Sequence, residues 1–291
     1  MLLSGIEPGK TALKINVLVL GFAWLLAGTA NAAINISTQA TQNMSCSGGV
    51  CTATAQKAYL NVNDVTNFLA AGDLEVVSGA GAEDIHIQAP FSWTSTSRLT
   101  LDAQRSIEFE KSVTVAGTGA LTLITNDGGT GGDYWFDAGA SVTFWDTSSS
   151  LVINGQSFIL VKDIKTLAAD ISHHPERHYA LADTYNASND GTYAHAPVPT
   201  EFTGIFEGLG NSILVLSIKD VTEGENVGLF AVLGTGGVIR DTLLAHVHIA
   251  SRAPNGLCTL LGLNDGGAVI RDAVKGGRFP HQTELFASAD W

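Results

Sequence analysis

Positive charge is what this sequence has least of. It carries 15 Lys and Arg against 28 Asp and Glu, a formal net charge of −13. No basic run of any length occurs. Nucleic acid and anionic lipid surfaces are therefore not expected partners, because both select clustered cations. Charged residues of either sign reach only 15% while hydrophobic residues reach 45%, a balance that excludes disorder and supports a packed core. Proline is scarce as well, 7 residues against 32 glycines, and glycine at that level without a collagen period marks many tight turns. Gly-x-Ser-x-Gly, His-Glu-x-x-His and phosphate-loop motifs are missing.

What is present begins with an export signal. Lys10 and Lys14 precede an apolar run, Ile15–Leu26, and Ala30-Asn31-Ala32 has the small-x-small form of a cleavage site. Residues 1–32 are expected to be removed between Ala32 and Ala33. No later stretch is apolar enough to cross a membrane as a helix, so no transmembrane helix is expected in the mature chain. Cys46 and Cys51 follow in Cys-Ser-Gly-Gly-Val-Cys. Two glycines permit a tight turn, and an oxidising compartment makes the pair a disulfide candidate. A metal pair would need a second Cys or His pair nearby.

From Leu74 onward the chain becomes a series of short strands. Leu74–Val77, Ile85–Gln88, Leu99–Leu101, Ile107–Phe109, Val113–Val115, Leu121–Ile124, Val142–Trp145 and Leu151–Ile153 are each bounded by small or polar residues. Alternation is clear in Leu99-Thr-Leu101 and Leu121-Thr-Leu123. An Asn-Gly or Asp-Gly hairpin series is not evident, which favours stacked coils over a sandwich. Further runs, Ser212–Ile218, Val227–Leu233 and Leu243–Ile249, alternate with glycine corners. A repeat is visible here. Gly228-Leu229-Phe230 returns as Gly256-Leu257-Cys258, 28 residues on, and Arg240-Asp241 returns as Arg271-Asp272, 31 residues on. The repeat places Cys258 where Phe230 stands, an apolar core position. Such a period without helical spacing is the mark of a solenoid or a propeller, and the short strands favour a β-helix. The expected fold is all-β, a right-handed parallel β-helix with an amino-terminal cap and one projecting loop region.

The phrases Phe202-Thr-Gly-Ile-Phe-Glu-Gly-Leu-Gly-Asn-Ser-Ile and Val227-Gly-Leu-Phe resemble the GLUG motif of large bacterial surface proteins. Leu99-Thr-Leu-Asp-Ala-Gln-Arg-Ser-Ile107 and Tyr179-Ala-Leu-Ala182 are similar to units of filamentous-haemagglutinin-like and autotransporter-passenger proteins. The resemblance covers roughly residues 60–272. It implies a secreted or cell-surface adhesin-like protein, otherwise periplasmic, without catalytic residues or cofactors. The partners it implies are host-cell or polysaccharide surfaces and a separate outer-membrane export partner. The segments are then a cap at 33–56, coils at 57–165, an irregular loop insertion at 166–200, GLUG-type repeats at 201–274 and a tail at 275–291. The tail has no strand rhythm and is either a cap or the cut end of a longer protein.

Candidate chemistry is sparse. Gly128-Gly-Thr-Gly-Gly-Asp133-Tyr-Trp-Phe136 matches a calcium nonapeptide once, but that site needs stacked copies. His246 and His248 flank Val247 on one strand run, without a third metal ligand. His174 and His178 have i, i+4 spacing that Pro175 interrupts. The twinned Arg240-Asp241 and Arg271-Asp272 read as a surface ladder with a corner role for each Asp. Two rival functions stay open: a carbohydrate-active enzyme with paired carboxylates in a groove, and a fragment of a larger passenger.

Overall fold

A computed structural model describes residues 32–79, 81–222, 226–251 and 259–275. The expected export signal up to Asn31, the residues Gly256, Leu257 and Cys258, and the tail from 276 lie outside the described residues. The described chain is all-β, and its sheets are parallel except for two hairpins. No helix among the described residues is long and apolar enough to cross a membrane.

The first half forms three sheets around one core. One sheet runs, in spatial order, Lys57–Asn61, Ala33–Ser37, Asp84–Ile87, Ile107–Phe109 and Tyr134–Phe136. The second holds Phe91–Trp93, Val113–Val115 and Val142–Phe144. The third begins with the hairpin Met44–Ser47 and Val50–Ala53 and continues through Leu74–Val77, Arg98–Asp102, Ala120–Ile124 and Ser150–Ile153. These strands fall where the alternation places them. Parallel register then puts like on like: Leu99, Leu121 and Leu151 form one inward column, and Ile87, Phe109 and Phe136 another. Phe109 and Phe136 stack with ring centroids 4.8 Å apart, the strand spacing itself. Each fully buried residue of this kind contributes about 1.5–3 kcal/mol.

The amino-terminal end closes in two ways. Ala33–Ser37, expected as part of a cap, is a buried strand inserted between Lys57–Asn61 and Asp84–Ile87. A helix, Val62–Ala71, then covers the end of the core with Val65 and Leu69. Its N-cap is Asn61, whose side chain accepts from the Asn63 N–H.

A single Asn-Gly hairpin, with no series of them, occurs among the described residues, at Asn154-Gly155. Both residues have positive φ, 47° and 78°, as a two-residue I′ turn requires. The turn makes Gln156–Val161 antiparallel to Ser150–Ile153, while Tyr179–Leu181 pairs parallel to Gln156–Val161. Strand direction in the eleven-stranded sheet is therefore reversed from this point on. The core changes face too. Leu160 and Ala180 belong to the first core, whereas Val161, Tyr179 and Leu181 belong to a second. Gly155→Ala is expected to cost about 1–2 kcal/mol in chemical denaturation, through the left-handed backbone alone. A Cβ at Gly155 meets nothing within 4 Å.

The second half is four-sided. The shared sheet continues through Tyr179–Leu181, Ile205–Glu207, Val238–Arg240 and Ala268–Ile270. A second side holds Tyr185–Asn186, Ser212–Leu214, Leu243–Ala245 and Ala273–Lys275. Thr192–Tyr193, Ser217–Asp220 and His248–Ser251 make the third, and Phe230–Leu233 with Leu261–Asn264 the fourth.

Three readings are corrected here. Residues 166–200 are not an irregular insertion. They carry one strand in each of three sheets, after a helix, Ile164–Ile171, capped by Asp163. Two of those strands are two residues long, too short to show alternation. The runs Ser212–Ile218 and Leu243–Ile249 are each two strands, broken by Val215 and His246 at φ 57°. A corner held by a non-glycine residue leaves no mark in the sequence. Finally, Phe230 stacks on Leu261, and not on the position of Cys258, because the register offset is 31 there and not 28.

Candidate functional site

The largest gathering of ionisable groups lies where the second half meets the first. Glu207 and Arg240 are in-register neighbours on the shared sheet, on the face opposite Phe206 and Ile239. That face turns toward Tyr134. The Tyr134 hydroxyl donates to Glu207 Oε2 at 2.5 Å, and the Leu209 N–H donates to Oε1 at 2.9 Å. Arg240 lies 4.1 Å over the Tyr134 ring and 3.3 Å from Glu207 Oε2. It also donates to Asp133 and, from Nε, to Asp241 Oδ2 at 3.0 Å. Arg271 bonds Asp241 through Nε at 2.8 Å and Asp133 through Nη1 at 2.9 Å. Both arginines donate to the Tyr134 carbonyl.

This network closes an open edge. Tyr134–Phe136 and Val142–Phe144 end their sheets in the first half. Unpaired edge groups need partners. The Val142 N–H donates to the Leu209 carbonyl and the Phe144 N–H to the Ala182 carbonyl, while Asn211 donates to the Val142 carbonyl. The arginines serve the Tyr134 carbonyl in the same way. Arg240 and Asp241 are thus not surface residues, whereas Arg271 is exposed. Glu207 is fully buried and Asp241 is 6% exposed.

The sequence repeat and the structural register differ by one residue. Arg240 pairs with Ile270, so Arg271 stacks on Asp241, and Asp272 accepts from the Thr242 N–H at 2.6 Å. The 31-residue repeat would have set Arg on Arg. The 30-residue register sets opposite charges together.

Two arginines face four carboxyls: Asp133, Glu207, Asp241 and Asp272. Burial pushes Glu207 up to about 7, opposed by Arg240 and Tyr134. Burial pushes Asp272 up to about 8. The Thr242 N–H and, more weakly, Arg240 oppose that rise, and Asp272 Oδ2 lacks a hydrogen-bond partner among the described residues. Asp241 is pushed up to about 8 as well, by burial first and then by Glu207, opposed by Arg240. The same surroundings raise the Arg240 guanidinium despite its burial.

A second feature is open to solvent. Tyr193, Ala194, His195, Ala196, Pro197 and Pro199 line a shallow groove of about 470 Å³. Its floor is pinned, since the Val198 N–H donates to the Leu229 carbonyl and the Val198 carbonyl accepts from Ala231. Asp190 holds its rim. It accepts from the Tyr185 and Tyr193 hydroxyls at 2.6 Å each and pairs with Lys165 at 3.1 Å. Burial works to raise Asp190, yet those three partners hold it below the usual carboxylate range.

The other sequence candidates fall elsewhere. Cys46 and Cys51 are cross-strand partners in the first hairpin and are joined by a disulfide. Ala32 precedes and Ala33 begins the inserted first strand, and the Ala32 carbonyl accepts from the Glu83 N–H. Gly228 passes close under the Leu261–Gly262 backbone, and Leu229 and Phe230 are fully buried in the second core. Asp133 of the calcium-like phrase is taken by the arginines, and Asn126 brackets Gly132 on both its N–H and its carbonyl. His246 occupies a corner and not the strand of His248, which removes the shared strand face expected for them. His178 packs tilted against Phe158 with centroids 5.5 Å apart, and burial lowers its pKa. No protein-family model, curated protein or solved structure matches the chain.

Proposed function

We propose that this chain is an exported adhesin-like protein, a right-handed parallel β-helix that presents the Tyr193–Pro199 groove to polysaccharide or cell surfaces. The observation that carries this reading is a solvent-open groove mounted on stacked parallel strands. Tyrosine and proline faces beside a histidine and a bound carboxylate suit sugar rings, which need apolar stacking and hydrogen bonding together. The resemblance to GLUG and filamentous-haemagglutinin-like phrases points the same way, and the amino-terminal motif supports export.

The coil and its hand have physical support. Parallel strands joined by crossovers are right-handed in nearly all cases. The strand order advances in one direction through the shared sheet while strand direction reverses at Asn154-Gly155. Two coils of one hand then require their cores on opposite faces, and Leu160 and Val161 face different cores.

The rival enzyme reading draws on Glu207, Asp241 and Arg240, but a substrate has no path to a carboxylate that is fully buried and bonded on both oxygens. The test is a glycan array and a cell-adhesion assay on the secreted chain, with Tyr193→Ala as the variant. Binding that weakens at least tenfold in the variant supports the proposal. No binding, or binding indifferent to Tyr193, sinks it.

A further inference from the structure

On the outer face of the five-stranded sheet, strand register builds a site that no sequence motif announces. Ile85, Ile87, Ile107 and Phe109 point inward and are fully buried. By alternation His86 and Glu108 point outward, and the register sets them side by side. Glu110 follows two residues after Glu108, on the same side. His86 Nε2 is 3.5 Å from Glu108 Oε2, and Nδ1 is 3.8 Å from Glu110 Oε1. One ligand atom from each of the three lies within 4.8 Å of the others.

We propose that His86, Glu108 and Glu110 form a divalent-cation site of the zinc class. The donor set is one imidazole nitrogen and two carboxylate oxygens. Imidazole selects zinc and its transition-metal neighbours over calcium and magnesium, which take oxygen alone. Three protein ligands leave one position open to water or to a ligand group. Ligand atoms about 2.0–2.2 Å from one tetrahedral zinc lie roughly 3.4 Å apart, which is close to the His86–Glu108 separation.

A second observation comes from the histidine itself. His86 is only 7% exposed. Its ring makes no hydrogen bond among the described residues, and both carboxylate contacts exceed hydrogen-bonding range. The nearly buried imidazole thus has a carboxylate facing each ring nitrogen, Glu108 toward Nε2 and Glu110 toward Nδ1. The surroundings hold the carboxylates in place. Gln88 Nε2 donates to Glu110 Oε1 at 2.9 Å, a partner that fixes the rotamer of the ligand. Burial raises Glu108, while His86 and Trp135 favour its charged form. Gln88 follows His86's strand and meets Glu110 one step past the Ile87–Phe109 pair.

The experiment uses the full secreted chain, untagged and dialysed against a chelator. Calorimetric titration with Zn²⁺ is expected to give one site per chain at micromolar affinity or tighter, with Mn²⁺ weaker and Ca²⁺ absent. Co²⁺ is expected to give the visible spectrum of a nitrogen–oxygen site. Glu108→Gln keeps the shape of the side chain and is expected to weaken Zn²⁺ at least tenfold, with an unchanged melting temperature in chelator. His86→Gln is expected to abolish the cobalt spectrum. Binding of Zn²⁺ undiminished in Glu108→Gln would place the metal elsewhere and overturn the proposal, as would the absence of any stoichiometric binding. The site lies apart from the Tyr193–Pro199 groove, so either result leaves the adhesion assay to stand or fall alone.

Discussion

Arg240→Ala is expected to destabilise the protein by about 3–5 kcal/mol. The guanidinium lies against Glu207, Asp241, Asp133 and the Tyr134 ring at once. Removing it leaves a buried carboxylate with no counter-charge and takes one of two donors from the Tyr134 carbonyl. Because the network joins the halves, the loss should appear at the junction first. Limited proteolysis of the variant is expected to cut near Asn154–Gly155 while Leu99, Leu121 and their neighbours stay protected. Arg240→Ala combined with Glu207→Gln is expected to recover part of the loss, since the second change removes the uncompensated charge. A cost below about 1 kcal/mol, the size of an exposed pair, would show that the cluster is not a buried seal.

Asp272→Asn is expected to stabilise the protein at high pH and to leave it unchanged near pH 4. Burial pushes the folded carboxyl up to about 8 from 3.8. The folded state therefore holds a proton that the unfolded chain has released, and stability falls as pH rises between those values. Below about pH 4 both states are protonated and nothing is lost. Above about pH 8 the wild-type chain carries a buried anion bonded only on one oxygen. Asparagine keeps the acceptor for the Thr242 N–H and carries no charge. The expected gain is about 3 kcal/mol at pH 9, read from urea midpoints across the pH series. Glu207 and Asp241, also raised by burial to about 7 and about 8, bend the profile in the same sense, so Asp272→Asn should flatten the profile without removing all of it. A midpoint that rises with pH in the wild type would sink this account.

Much of the first half was legible. Leu99-Thr-Leu101 and Leu121-Thr-Leu123 alternate because one face of each strand must be apolar and the other need not be, and that constraint is local. The Cys46–Cys51 pair was legible for a similar reason, since its two glycines sit within one tight turn. The corners at Val215 and His246 were not. Each is a single left-handed residue, φ 57° in both, and the surrounding stack imposes it against local preference. Residues 166–200 hid three strands because two-residue strands gain their order from neighbours in the stack and not from their own pattern.

By itself the sequence determined the class of structure: short apolar strands, many glycine turns, a strongly acidic balance and a repeat near thirty residues. Those features act over one strand or one turn, where side-chain period and backbone sterics decide. Tertiary structure alone decided the sites. Whether Arg271 meets Asp241 or Arg240 depends on a register of 30 or 31 residues, and the turns between strands set that register. His86 faces Glu108 because the two strands pair in parallel with an offset of 22 residues, and Glu207 meets Tyr134 across 73 residues because the chain reverses at Asn154-Gly155. Charge pairing, burial and metal-ligand distance are properties of such neighbours. They exist only once loop lengths have chosen which strand lies on which.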